Sequence, residues 1–130
     1  MIGTKVQTKL DRRKVLKKAQ QAHIKNLGHA GAALRLTARR SIRTRKKPSP
    51  PGTPPHSRRG QLKRSIAYAL EPRNQRVVIG PDADVVGTSG KAHEFGGSYR
   101  SEKYPKRPFM GPALQKLRDR LTAFWANSVR

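Results

Sequence analysis

At 130 residues, with 34% hydrophobic and 5% aromatic residues, the chain can build one modest core and not two. Thirty Lys and Arg against seven Asp and Glu give a net charge of +23, so a compact monomer repels itself and attracts nucleic acid, acidic protein or anionic membrane. The absence of cysteine excludes disulfides, thiolate chemistry and cysteine-based zinc sites. No apolar run approaches the roughly 20 residues of a transmembrane helix, and Met1-Ile2-Gly3-Thr4 opens no signal peptide. The expectation is a protein assembled in the cytosol with no membrane anchor.

From about Leu10 to Ile42 the sequence predicts one helix, because Leu16, Ala19, His23, Leu27, Ala30, Leu34 and Ala38 recur at three- and four-residue steps. Its other faces are cationic, and Asp11 is the only acid before Glu71. A carboxylate at the expected helix start suits the helix dipole. Gly28 and Gly31 each cost about 1 kcal/mol relative to Ala in a helix and permit a bend or a close approach. From Arg35 to Lys47 there are seven basic residues and no acid, so no local carboxylate neutralises the run. The candidate polyanion-facing residues are Arg12, Arg13, Lys17, Lys18, Lys25, Arg35, Arg39, Arg40, Arg43, Arg45, Lys46 and Lys47. DNA phosphates are the simplest such partner, through contacts that ignore sequence.

Between Pro48 and Pro55 five of eight residues are proline, which ends the helix and favours a stiff, polyproline-like arm. Pro50, Pro51, Pro54 and Pro55 are candidates for lying across a neighbouring subunit, since so stiff an arm resists folding back. A helical turn is expected over Leu62–Ser65, a strand over Ile66–Leu70, and a second, β-branched strand over Arg76–Gly80, joined by a hairpin loop at Asn74-Gln75. Asp82-Ala83-Asp84 reads as a turn. Lys91–Gly97 reads as another strand ending in glycines, and Ser98–Lys103 as a polar, exposed loop.

Tyr104–Leu114 is a proline-stiffened turn that runs into a helix, with Pro112 suited to the first helical turn and Phe109 and Met110 at the joint. The final helix, from about Gly111 to Ser128, carries Leu114, Leu117, Leu121, Phe124 and Trp125 at helical spacing. Phe95, Phe109, Met110, Leu114, Leu117 and Leu121 are the expected structural anchors. The fold class is therefore α+β: a long N-terminal helix, a small antiparallel β-sheet, and an amphipathic C-terminal helix packed on the sheet. Residues 1–47 form the basic helix, 48–59 the proline-rich arm and 60–130 the α+β core, in a single domain overall.

Catalytic and metal readings find no support in the spacing. His23 and His29 point about 120° apart on a helix, His56 lies in the arm, and His93 and Glu94 would face opposite sides of a strand. Asp82 and Asp84 lack the further ligands of a calcium loop. Gly87-Thr88-Ser89-Gly90-Lys91 lacks the spacing of a phosphate loop. No catalytic residue, metal ligand or cofactor is assigned, and the chain is not read as an enzyme.

Three blocks carry a resemblance. Pro51-Gly52-Thr53-Pro54-Pro55 followed by Arg58-Arg59-Gly60-Gln61-Leu62-Lys63-Arg64-Ser65-Ile66, then Ala92-His93-Glu94-Phe95-Gly96, then Pro105–Leu114, occur in the order found in tailed-phage neck proteins. The chain resembles their gene-product-ten-like tail-completion and head-tail joining family, which includes minor tail protein Z relatives. That resemblance implies a structural virion subunit, assembled in the bacterial host cytoplasm. It also implies a homo-oligomeric ring, usually hexameric, around the DNA channel at the head-tail junction, against portal or adaptor, or against tail terminator or tube. A free-standing basic protein that binds nucleic acid through phosphate contacts fits the composition equally well.

Overall fold

A computed structural model describes the backbone of residues 2–126 and the side chains of residues 12–126. Helix α1, Ile2–Ser41, is an unbroken run of 40 residues, about 60 Å long at 1.5 Å per residue. It starts well before the expected Leu10, so Asp11 lies inside the helix and not at its start. The apolar stripe is used unevenly. Ala30, Leu34 and Ala38 are buried, as is Ile42 just beyond the helix, whereas Leu16 is 54% exposed.

Two short strands follow, β1 (Arg43–Thr44) and β2 (His56–Ser57), paired in parallel with Arg43 opposite His56. The proline arm is the loop between them. Gly52 N–H donates to the Lys106 carbonyl at 2.8 Å, and Arg107 Nε donates to the Ser49 carbonyl at 2.8 Å. Pro55 is fully buried and Pro54 half-buried, leaving Pro50 and Pro51 exposed. The arm thus folds onto its own chain, which corrects the expectation that all four prolines are free for a neighbour. Its stiffness holds donors and carbonyls in line with the turn at 105–108 instead of directing them away.

Helix α2 (Gln61–Ser65) leads into the antiparallel hairpin of β3 (Ile66–Glu71) and β4 (Arg76–Pro81), close to the predicted boundaries. The hairpin packs against α1. Its inward face carries Tyr68, Leu70 and Val77, and α1 meets it at Gly31, where a Cβ would lie 2.8 Å from Val77 Cγ2 and 2.9 Å from Tyr68 Cδ2. Asp82 accepts a hydrogen bond from the Asp84 N–H at 2.9 Å and caps the short helix α3 (Ala83–Val86).

Ser89–Phe95 is helix α4, which overturns the strand expected over Lys91–Gly97. No β-branched residue occurs in this segment to favour a strand. The helix buries Ala92 and stops where Gly96 takes φ +75°, a conformation costly for any residue with a Cβ. The expected loop at 98–103 is a second hairpin, β5 (Gly97–Tyr99) with β6 (Glu102–Tyr104). Its two turn residues, Arg100 and Ser101, both have positive φ, the twist a two-residue hairpin needs.

Helix α5 spans Met110–Leu121 and ends in a 3-10 turn at Thr122–Phe124, shorter than expected. Asn127 and Ser128, assigned to this helix from the sequence, lie outside the described residues. The chain is α+β, with a long N-terminal helix, small antiparallel sheets and an amphipathic C-terminal helix. Helix α5 runs chiefly along α1 and meets the hairpin through one shared core of Leu34, Ala38, Ile42, Leu62, Ile66, Phe109, Ala113 and Leu117.

Candidate nucleic-acid interface

Every residue from Arg12 to Lys18 is exposed, so at 100° per residue this end of α1 presents cations in all directions. Lys25, Arg40, Arg43, Arg45, Lys46 and Lys47 are exposed as well. Arg35 and Arg39 are half-buried. Arg35 serves the fold, because its Nε donates to the Ile66 carbonyl at 2.9 Å and fastens α1 to β3. Among the described residues the one ion pair joins Arg76 and Glu71 on the hairpin. There the Arg76 side chain, with help from Asn74, holds the Glu71 carboxyl below its usual range. None of the α1 cations has a carboxylate partner among the described residues.

The structure gathers a second set of cations that sequence order keeps apart. Arg45, Lys46 and Lys47 share an open cleft of about 530 Å³ with Arg58, Lys103 and Arg107. The β1–β2 pairing brings 45 to 58, and the bonds from Ser49 and Gly52 bring in 106–107. Arg58, Lys103 and Arg107 were missing from the sequence-derived set. The pairs Arg58-Arg59 and Lys106-Arg107 were visible as charge, but nothing local says that they meet Arg45–Lys47.

Each of the four histidines has its own neighbour. Trp125 Nε1 donates to His23 Nδ1 at 3.0 Å, and His29 lies beside the Phe124 ring. His56 Nδ1 bonds the Lys47 carbonyl at 2.8 Å. The His93 ring sits 4.8 Å from that of Tyr104, with its Nδ1 buried and unpartnered. Burial first, and then the Arg107 charge, push its pKa below the ordinary value. No group of three metal-ligating side chains occurs among the described residues.

Of the expected anchors, Phe109 is fully buried, Leu117 is buried, and Met110 and Leu121 are half-buried. Phe95 is 70% and Leu114 48% exposed, and neither is an anchor. Phe95 ends a helix instead of lying in a strand, and the inward stripe of α5 is Met110, Ala113, Leu117 and Leu121, one position off Leu114. Glu94 takes a part not foreseen. Its carboxylate accepts N–H bonds from Phe109 (2.8 Å), Met110 (2.9 Å) and Gly111 (2.9 Å), and so closes the exposed start of α5.

No family model, curated protein or solved structure matches the chain. Among the described residues no helix is long and apolar enough to cross a membrane.

Proposed function

We propose that the chain is a structural subunit of a tailed-phage virion, forming a ring, hexameric by the resemblance, at the head-tail neck or tail-completion position. Helix α1 turns its cations to the DNA in the channel or to an acidic portal or adaptor surface. One observation carries this reading: the three segments that resemble the neck family lock together in space. The proline arm bonds to Lys106 and Arg107, and Glu94 closes the turn at Phe109–Gly111. The ring uses no catalytic group or cofactor; its work is geometry and charge.

The unpaired cations of α1 favour a second reading, a free-standing protein that binds nucleic acid through phosphates. Electron microscopy of the virion that carries the chain separates the two. The expected result is a closed ring of this subunit between head and tail; a neck built without it overturns the proposal. A chain that stays small in solution and on duplex DNA favours the second reading.

A further inference from the structure

The cleft beside the proline arm holds six cations, Arg45, Lys46, Lys47, Arg58, Lys103 and Arg107, against one carboxylate, Glu102. Like charges on mobile side chains drift apart, but here their backbones are tied. His56 grips the Lys47 carbonyl, Arg107 N–H donates to the His93 carbonyl at 2.7 Å, and Arg107 Nε is held by Ser49. The fold therefore gathers like charges whose mutual repulsion a bound anion would relieve. A second cleft of about 660 Å³ shares His56, Arg58, His93 and Tyr104 with it and adds Arg59 and Arg100 against one carboxylate, Asp84, so the excess of cations continues there.

We propose that this cleft is a phosphate-binding site that grips the backbone of double-stranded DNA, separately from the cations of α1. Guanidinium groups such as those of Arg45, Arg58 and Arg107 match phosphate oxygens in a two-pronged fashion. The lining favours duplex over single strand, because it is rich in cations and its one tyrosine, Tyr104, already packs beside His93 at 4.8 Å and Tyr99 at 6.0 Å. An acidic peptide is a poorer fit: tight peptide sites bury an apolar anchor, and the apolar lining here is limited to Pro48, Pro105 and part of Tyr104. The inference does not depend on ring assembly, since every lining residue comes from one chain.

The test uses the full chain and a triple variant, Arg45→Gln, Lys47→Gln and Arg58→Gln, whose side chains are exposed. A control triple on α1 changes Arg12, Arg13 and Lys17 to Gln. Binding of a short fluorescent duplex is followed against NaCl concentration. Each phosphate contact contributes about 0.9 to the slope of log K on log salt, so the cleft triple is expected to lower the slope by about 2–3. Inorganic pyrophosphate is expected to raise the melting temperature of the native chain and of the α1 control, but not of the cleft triple. It should also shift the His93 ring signals in NMR, because an anion beside Arg107, Arg58 and His56 changes the field at that ring. A folded cleft triple with the native slope overturns the proposal, as does a pyrophosphate shift that survives in it. Loss of poly-glutamate binding with duplex binding intact would assign the cleft to acidic protein and equally overturn it. None of these failures touches the ring, which is tested in the virion.

Discussion

Phe95 and Phe109 both neighbour glycines or prolines, yet one is 70% exposed and the other fully buried. Truncation therefore separates them. Phe109→Ala is expected to cost about 3–5 kcal/mol in urea unfolding, while Phe95→Ala should stay within about 0.5 kcal/mol. The burial of Phe109 was legible because Pro105, Pro108 and Pro112 fix the turn around it. The exposure of Phe95 was not, because it follows from α4 being a helix, and one wrong element type turns every side chain in it to another face. His93 adds a dependence on pH. Its folded pKa lies below the usual 6.5, so the unfolded chain takes up the proton first as pH falls. Stability is then present above that value and lost as pH drops through it. Unfolding midpoints between pH 7.5 and 5.5 (about one unit either side of the ordinary value) should fall less in His93→Gln than in the native chain.

Helix α5 has Phe109 at its N-cap, a residue with no side-chain oxygen to offer, and borrows the carboxylate of Glu94 from α4. Hydrogen bonds to a charged group are worth about 1.5–3 kcal/mol. Glu94→Gln keeps the shape and loses the charge, so a loss of about 1–2 kcal/mol is expected, with faster amide exchange at Phe109, Met110 and Gly111. Unchanged exchange at these amides would count against this role for Glu94. At Gly31 two effects oppose each other. Alanine gains about 1 kcal/mol of helix propensity, but its Cβ would press into Val77 and Tyr68 at under 3 Å. Overpacking of this kind costs about 1–3 kcal/mol, so Gly31→Ala is expected to lower the melting temperature. Helix α1, the β3–β4 hairpin and α5 were legible because their periodicity spans many residues. The short pieces were not: β1 and β2 find each other only across the proline loop, and α4 and the β5–β6 hairpin are too short to show a period.

For the whole molecule, a net charge of +23 with one ion pair among the described residues leaves repulsion as a standing cost of folding. Salt screens it, so the melting temperature should climb by several degrees from low to high NaCl, and further with sulfate at equal ionic strength. A flat response would mean that the cations lie too far apart to oppose folding. The excess charge itself was legible from composition. Its sorting into an exposed helix end and a gathered cleft was not, since β1–β2 pairing and the arm's bonds to 106–107 do the gathering.

The exposed stretch of α1 from Arg12 to Lys18 has a kinetic consequence. It spans about 10 Å of axis, close to one Debye length at physiological salt, before the first half-buried residue, Ala19. Exposed and without carboxylate partners among the described residues, its charges pull on an approaching polyanion and set the encounter rate more than the residence time. Shortening α1 from that end should slow capture steeply at low salt while leaving release nearly unchanged, making the helix an antenna for the rest of the protein.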